Sequence, residues 1–444
     1  MPGNSSNVFT KQQRIAELAK RSPKMGLTSL AYPMDIDWLR VAFHLTRKDG
    51  AVGVDEQTWA EYAVDLEKNL QSLLDRAKSG TYWAPPVRRA YIPKPGSPGE
   101  SRPIGIPTLE DKVLQRAVVM LLEPIYEQDF LDCSYGFRPK RSAHQALEDL
   151  WKWSMDHAVG WVVEVDIRKC FDALDRAHLR EFLQLRVRDG VLKRLIGKWL
   201  NAGVMEDGNV SYPEAGSPQG GVISPMLANV FLHYVLDVWF GEEVLPRLRG
   251  EAHLIRYADD FVILFTHEED ARRVLEVLPQ RFGKYGLTLH PEKTRLIPFR
   301  RPRQNTAGSG NQQSPEPGTF DLLGFTHYWG RSWRGPWVVK RQTASDRLSR
   351  AIKKIAQWCR KHRHDPIDEQ HEKLSQKVRG HYAYYGITGN NRALKNFLVA
   401  VQRCWRKWLD RRNRERTMIW ERFNRLLAYY PLPPPRIVHS VYST

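Results

Sequence analysis

The feature that most constrains this 444-residue sequence is a pair of adjacent aspartates inside an otherwise apolar, β-branched stretch. Residues 254–257 and 261–265 both have the composition of β-strands, and Ala258-Asp259-Asp260 separates them. Such a short break between two strand-like segments predicts a β-hairpin with acids at its turn. Adjacent acids in a hairpin can be simple turn formers, so their meaning depends on what accompanies them.

Another acid has a similar setting nearly a hundred residues earlier. Residues 161–167 predict a short strand, and Asp166 lies near its C-terminal end. Hard divalent cations such as Mg²⁺ take oxygen ligands and are held by a few carboxylates together with substrate phosphates. Three convergent acids, Asp166, Asp259 and Asp260, would suit a pair of such ions catalysing in-line phosphoryl transfer.

Helical and strand-like patterns alternate along the chain, which predicts an α+β or α/β body. Helices are predicted over residues 7–77 with a turn at 50–55, and over 110–126, 143–153, 178–200, 226–240, 268–285 and from 345 onward. Strands are predicted over residues 87–94, 102–107, 161–167, 254–257, 261–265, 287–289, 294–299, 320–325 and 337–339. Residues 303–318 are rich in Gly, Ser, Gln, Asn and Pro, which predicts a flexible surface insertion.

Positive charge is concentrated at the C-terminal end. The chain has 68 Lys and Arg against 50 Asp and Glu, and residues 331–444 hold 26 of the basic but only 8 of the acidic residues. The first 330 residues therefore balance at 42 of each sign, and the last 114 carry the whole net charge of +18. A neutral body followed by a basic, helical segment predicts polyanion binding, although a solvated basic face is the alternative.

Other classes of protein are disfavoured by the composition. The four cysteines are widely spaced and form no CxxC pair, so neither a zinc site nor a disulfide framework is expected. No apolar run approaches the roughly 20 residues of a membrane span. The first residues lack a signal-peptide pattern, so we expect a cytoplasmic, nucleoid-associated protein without membrane contact.

Four blocks of the sequence resemble reverse transcriptases, in the order expected of that family. Tyr257-Ala258-Asp259-Asp260 resembles the family signature, and residues 165–172 resemble the first catalytic block. The block at 216–225 resembles the one whose glutamine lies against the incoming nucleotide, and the basic hairpin of residues 87–94 and 102–107 resembles the fingers. Further segments at 134–139, 290–294, 323–325 and 379–386 are similar to group II intron reverse transcriptases and maturases over nearly the full length.

The resemblance implies a right-hand polymerase of α+β class, with fingers, a palm built on an antiparallel sheet, and a basic all-α thumb or maturase domain. The implied domains are an N-terminal helical extension of the fingers (1–79), fingers and palm (80–330), thumb (331–430) and a proline-rich tail (431–444). Many members of the family continue into a zinc-bearing endonuclease, and no matching Cys pairs are present in this sequence. Cleavage of a second DNA strand is therefore not expected of this chain.

Individual site residues are implied by the same resemblance. Asp166, Asp259 and Asp260 would be catalytic and, with Ile167, would hold two Mg²⁺ ions. The residues implied for the dNTP are Lys94 and Arg102 on its triphosphate, Phe171 as the gate against a ribose 2′-OH, Gln219 and Lys293. The residues expected on the nucleic-acid backbone are Arg411, Arg412, Arg414 and Arg416.

The implied activity is synthesis of DNA on an RNA template, together with intron RNA binding that assists splicing and mobility. The partners would be intron or template RNA, a DNA primer or target, and dNTPs. Two alternatives stay open. The chain could be a splicing maturase whose polymerase body is mainly a scaffold, or a domesticated, free-standing reverse transcriptase.

Overall fold

The computed structural model describes residues 2–93, 99–206, 208–212, 220–302, 317–412 and 417–440, with side chains from residue 6 onward. Helices make up 53% of the chain and sheets are also present, which confirms the α+β class. Lys94, Gln219, Arg414, Arg416 and most of the predicted insertion lie outside the described residues.

The helices, in chain order, are α1 (Pro2–Arg21), α2 (Ile36–His44), α3 (Trp59–Val64), α4 (Leu66–Ser79), α5 (Leu109–Asp129), α6 (Ala143–Asp156), α7 (Cys170–Ala173), α8 (Arg176–Arg186), α9 (Gly190–Leu200), α10 (Ser224–Leu232), α11 (Glu268–Lys284), α12 (Ser345–Lys361), α13 (Ile367–Tyr385), α14 (Asn391–Asp410) and α15 (Trp420–Tyr429). Two wider π-type turns, His233–Asp237 and Phe240–Val244, and a 3₁₀ turn, Leu245–Arg247, continue from α10.

The strands are β1 (Val87–Pro93), β2 (Ser101–Ile106), β3 (Trp161–Asp166), β4 (Val204–Glu206), β5 (Asn209–Ser211), β6 (Ala252–Tyr257), β7 (Asp260–Phe265), β8 (Arg295–Pro298), β9 (Phe320–Leu322), β10 (Phe325–Arg331) and β11 (Trp337–Thr343). They form three sheets, with strand orders β2-β1-β4-β5, β6-β7-β3-β8 and β11-β10-β9. The β1–β2, β6–β7 and β10–β11 pairs are antiparallel hairpins.

By packing, the described residues divide into two units, one within 1–94, 98–146 and 163–296, and the other within 147–162 and 297–444. This division is coarser than the four predicted domains, whose bounds stay predictions. The first unit holds Asp166, Asp259 and Asp260. Its central helix is α5, where Thr108 caps the N-terminus by accepting from the Asp111 amide at 3.3 Å. Most side chains of α5 are buried, as expected of a helix that is apolar on nearly every face.

The second unit contains the β9–β11 sheet and the helices from α12 onward. α14 buries Leu394, Phe397, Val401, Trp405 and Leu409, which recur at the spacing of one helix face. These side chains form one core with residues of α12, α13 and α15, while basic side chains occupy the other faces of α14.

One predicted strand is wrong. Residues 287–289 form no strand, and only Leu289 makes an isolated antiparallel bridge, to Ile167. The segment follows the Gly286 turn, whose φ of +76° redirects the chain, and is therefore too short to continue a ladder. It lies instead beside the residues that follow β3.

Candidate active site

The β6–β7 hairpin is present, and its turn carries Asp259. The two strands pair antiparallel, and Tyr257 and Asp260 are the last residues of the ladder to face each other. Ala258 and Asp259 therefore form a two-residue turn, in which Ala258 has a φ of +58°. Such turns need a positive φ, which non-glycine residues seldom adopt. The turn holds Asp259 at the end of the sheet in one defined backbone conformation.

Asp166 is the last residue of β3, the strand beside β7, and both Asp166 and Asp259 are partly buried. Burial raises the pKa of the Asp259 carboxyl, and the negative charge of Asp166 raises it further. The backbone amide of Asp259 and the nearby cations Arg102 and Arg256 act in the opposite direction. Since Coulomb interactions weaken with distance, the Asp166 carboxylate is close enough to oppose ionisation of Asp259.

The third predicted acid differs from these two. Asp260 opens β7 and is exposed. Within the described parts of the chain, no group of three or more Asp, Glu, His or Cys side chains is placed to hold a metal ion. The structure therefore couples Asp166 with Asp259 but does not gather all three acids. Two neighbouring carboxylates still fit a divalent cation, because the cation offsets both negative charges.

Lys293 lies directly on one of these carboxylates. Its Nζ is 2.8 Å from Oδ2 of Asp166, and about half of each side chain is exposed. Exposed ion pairs of this kind contribute little to stability and exchange readily with other partners. The sequence predicted both residues for the site, and the structure brings them into contact.

The backbone that follows β3 is held by the segment that was expected to be a strand. The carbonyl oxygen of Asp166 accepts a hydrogen bond from the His290 amide, and the Arg168 amide donates to the Thr288 carbonyl, both at 2.8 Å. Ile167, between them, has a buried side chain that is 4% exposed. These contacts fix the direction in which the Asp166 side chain leaves the sheet.

The residues predicted for the incoming nucleotide are described only in part. Arg102 is an exposed residue of β2. Its positive charge lowers the pKa of Asp259 and also that of Asp172. Burial raises the pKa of Asp172, and nearby cations, Arg102 among them, oppose this rise. Arg102 therefore lies within electrostatic reach of the aspartates. Phe171 is half-buried in α7, just after Asp166. Lys94 and Gln219 lie outside the described residues.

A fully buried arginine, which sequence reasoning missed, supports the hairpin turn. Arg256 donates to both carboxylate oxygens of Asp237, at 2.8 and 2.5 Å. Its Nη1 donates to Oδ1 of Asn229 and to the carbonyl of Ala258, each at 3.0 Å. Its Nη2 also donates to Oγ of Ser134 at 2.8 Å. The guanidinium thus ties the turn residue Ala258 to α10, to the π-type turn and to the loop after α5.

The π-type turn His233–Asp237 explains how Asn229 and Asp237 reach the same guanidinium. At 3.6 residues per turn, residues eight apart lie about 80° apart around a regular α-helix, whereas residues seven apart lie within about 20°. A π-type turn takes up one extra residue, so Asp237 faces the same side as Asn229. A lone Arg in an apolar strand and a lone Asp in an apolar helix were the available sequence signals for this contact.

Gly136 packs against the other side of the turn. A Cβ atom at this position would lie 2.4 Å from the Ala258 amide nitrogen, closer than any real contact allows. The Gly136 carbonyl accepts from Nδ2 of Asn229 at 2.7 Å, and the Tyr135 amide donates to the Arg256 carbonyl at 2.8 Å. Residues 134–139 are among the segments that resemble the family, and in the structure Tyr135 and Gly136 of this segment contact the hairpin and its turn.

The arginines predicted to contact nucleic acid are described at two positions. Arg411 and Arg412 follow α14 and are exposed. The Arg411 guanidinium lies 5.2 Å from the centre of the Trp408 ring, and Nη2 of Arg412 donates to the His364 carbonyl at 3.1 Å. Arg414 and Arg416 lie outside the described residues.

Comparison with known proteins gives one family. The sequence profile of that family, described as reverse transcriptase (RNA-dependent DNA polymerase), matches residues 92–327, more than half of the chain. The group II intron-encoded protein LtrA of Lactococcus lactis subsp. cremoris is 44% identical over 225 residues, which are 48% of this chain and 37% of that protein. Protein YkfC of Escherichia coli (strain K12) is 33% identical over 325 residues, which are 64% of this chain and 83% of that protein.

A third relative is an uncharacterized 91 kDa protein in the cob intron of Schizosaccharomyces pombe, which is 31% identical over 256 residues, 56% of this chain and 30% of that protein. The match thus spans little more than a third of the LtrA sequence. None of the helices described in this chain combines the length and apolar character needed to cross a bilayer.

Proposed function

Because this chain belongs to the reverse transcriptase family and, within it, to the group II intron-encoded reverse transcriptases and maturases, we propose that it is an RNA-directed DNA polymerase. The observation that carries the proposal is that Asp166 ends β3 and Asp259 lies in the β6–β7 turn, on neighbouring strands of one sheet. The family has a right-hand polymerase fold, and the mixture of helices with antiparallel hairpins agrees with it.

The proposed reaction is attack of a primer 3′-hydroxyl on the α-phosphate of a dNTP. A new phosphodiester bond forms, the bond between the α- and β-phosphates breaks, and pyrophosphate leaves. Asp166 and Asp259, together with Ile167, would hold two Mg²⁺ ions, with Asp260 in a supporting role. Bound there, the ions would supply activation of the attacking oxygen and stabilisation of the leaving one.

The other residues would bind and select the nucleotide. Lys293 would exchange the Asp166 carboxylate for a phosphate oxygen, because its present ion pair is half-exposed and weak. Arg102 and Lys94 would take the triphosphate, since charge-assisted contacts to phosphate are strong and Arg can make two at once. Gln219 would lie against the nucleotide, and Phe171 would exclude a ribose 2′-hydroxyl.

Primer extension tests the proposal directly. Asp259→Asn keeps the size of the side chain but removes its charge, so extension of a DNA primer on an RNA template with Mg²⁺ should be lost. Asp346→Asn is the matched control, because Asp346 is an exposed carboxylate at the start of α12 that pairs with Arg350. Full extension by the Asp259→Asn variant would eliminate the proposed polymerase activity.

A second function, intron RNA binding that assists splicing, is favoured by the net charge of +18 confined to residues 331–444. Under this proposal Arg411 and Arg412, with Arg414 and Arg416, would contact the RNA backbone. If splicing is the main task and the polymerase body is a scaffold, Asp259→Asn should leave splicing intact while it abolishes synthesis. Absence of a foldable intron around the reading frame would instead favour a free-standing enzyme.

A further inference from the structure

The tip of the β10–β11 hairpin presents a tryptophan to solvent. Trp333 is 98% exposed, which is unusual for a side chain that is mostly apolar. The two strands pair over seven residues, from Phe325 opposite Thr343 to Arg331 opposite Trp337, so the tip stands on a regular ladder. Trp333 lies outside the blocks that resemble reverse transcriptases.

The turn that carries Trp333 is held by several hydrogen bonds. The Ser332 amide donates to the Pro336 carbonyl at 2.8 Å, and the Gly335 amide donates back to the Ser332 carbonyl at 3.1 Å. Nη1 of Arg331 donates to the Gly335 carbonyl at 3.0 Å. The exposed indole is thus attached to a closed turn, so binding a ligand there would cost little backbone entropy.

Positive charge surrounds the indole. The Arg331 guanidinium stacks 4.5 Å from the centre of the Trp337 ring, and Arg334, next to Trp333, is exposed. On the adjoining backbone, Nη2 of Arg301 donates to the Trp337 carbonyl at 3.1 Å. Between Asp321 and Asp346 the sequence contains four Lys or Arg residues and no acid. A ligand of this tip should therefore be flat, apolar on one face and negatively charged beside it.

A protein partner fits this surface poorly. Stable protein interfaces bury about 800 Å² on each side and have a contiguous apolar centre. Here the sequence neighbours of Trp333 are Ser332, Arg334 and Gly335, and none of them has a large apolar side chain. An unpaired nucleotide fits better, because its base offers a face for stacking and its phosphates complement the arginines.

We infer that Trp333 is a stacking platform for an unpaired base of single-stranded RNA, with Arg331 and Arg334 contacting the flanking phosphates. The inference rests on the proposed function, because that function gives the protein RNA to bind. A DNA single strand offers the same chemistry, so the test includes both. Duplex lacks an available base face and should not bind at this tip.

Binding of a single-stranded oligoadenylate to the full chain gives the first measurement. Trp333→Ala should weaken binding about tenfold, because stacking on an aromatic side chain contributes about that much per base. Trp333→Phe keeps a ring and should recover most of the loss. Tyr429→Ala is the matched control, because Tyr429 is an 84% exposed aromatic on α15. With an abasic oligonucleotide of the same length, Trp333→Ala and the unchanged chain should bind equally.

Photocrosslinking locates the contact. A single strand with one 5-iodouridine, as RNA and in parallel as DNA, is irradiated with the protein, and the adduct is mapped by mass spectrometry. An adduct at Trp333 that annealing to a complement removes supports the inference. Crosslinks elsewhere but none at Trp333, or equal binding by the Ala variant, would overturn it while leaving the proposed function standing. Absence of any binding to single strands would overturn both, and a change only in oligomeric state would show that the tip contacts protein instead.

Discussion

Arg256 shows how much one buried charge can determine at this site. Its guanidinium is fully buried, and burial in itself disfavours a charge, so it depends on the carboxylate of Asp237 and on three further acceptors. One of those acceptors is the carbonyl of Ala258, next to Asp259. Fold stability and the position of the proposed catalytic carboxylate are therefore linked through one side chain.

Removing this side chain should destabilise the fold strongly. Arg256→Met leaves Asp237 buried without its counter-charge, so the free energy of unfolding should fall by about 3–5 kcal/mol, measured by urea denaturation. Adding Asp237→Leu should recover much of the loss, because the orphaned charge is then gone. A loss below about 1 kcal/mol in the single variant would show that the network does not support the fold.

Whereas the Arg256 side chain should stabilise the fold, the ionised carboxylate of Asp259 should destabilise it. Burial raises its pKa above the ordinary 3.8, so the ionised carboxylate destabilises the fold once the pH exceeds that raised pKa. Below the unfolded value, about 4, both states are protonated and the cost disappears. Without Mg²⁺, Asp259→Asn should therefore have a higher Tm than the unchanged chain at pH 7, and this difference should vanish as the pH falls to about 4. A lower Tm at pH 7 would show that the carboxylate stabilises the fold.

At the scale of elements, local sequence patterns were sufficient to predict those strands and helices whose apolar residues recur with a clear period. The β6–β7 hairpin, β3 and the apolar face of α14 were predictable from β-branched runs and from i, i+3, i+4 spacing. The short Ala-Asp-Asp break also placed Asp259 at a turn. The approach of Asp166 to Asp259 was suggested by the chemistry of metal binding and by the resemblance, but no local pattern could establish it, because it depends on which strands become neighbours.

Contacts between distant segments could not be predicted in the same way. Gly136 packs on a turn more than a hundred residues away, and the π-type turn that aligns Asp237 with Asn229 has no periodic signal of its own. The segment 287–289 looked like a strand because it alternates apolar leucines with a β-branched threonine, yet it makes only one bridge, from Leu289 to Ile167. Tertiary contacts overrode propensity there.

The close approach of Gly136 to the hairpin turn gives a prediction about the element as a unit. Gly136→Ala places a methyl group against the backbone of Ala258, so the turn must shift. We expect primer extension to fall about 100-fold, because misplacement by about 1 Å has that effect on positioned groups. Gly197→Ala in α9 is the matched control, because open space surrounds its Cβ position. If both variants keep full activity, Gly136 does not position the turn.

At the scale of the whole molecule, charge is divided along the chain. The first 330 residues balance at 42 of each sign, while 331–444 carry the excess of +18. This distribution separates a proposed chemical centre, which needs acids for metal ions, from a segment suited to polyphosphate backbones. The family supports RNA as the proposed template, and the charge indicates where RNA would be held.

Salt dependence tests the binding segment. If Arg411 and Arg412 contact phosphates, changing both to Gln should reduce the slope of log affinity for RNA against log salt by about 1 to 2, measured by fluorescence anisotropy. Arg272→Gln is the control, because that arginine is exposed but pairs with Glu268 in α11. An unchanged slope in the double variant would assign the charge to solvation rather than to RNA.

The central claim is that Asp166 and Asp259 act as one unit in DNA synthesis. The most direct test compares single-turnover primer extension on an RNA template for Asp166→Asn, Asp259→Asn and the double variant. If two residues act as one unit, removing either one abolishes the contribution of both. Each single variant should therefore extend the primer about 10³-fold or more slowly than the unchanged chain, and the double variant should be almost no slower than either single variant. Near-normal extension by either single variant, or losses that multiply in the double variant, would contradict the claim.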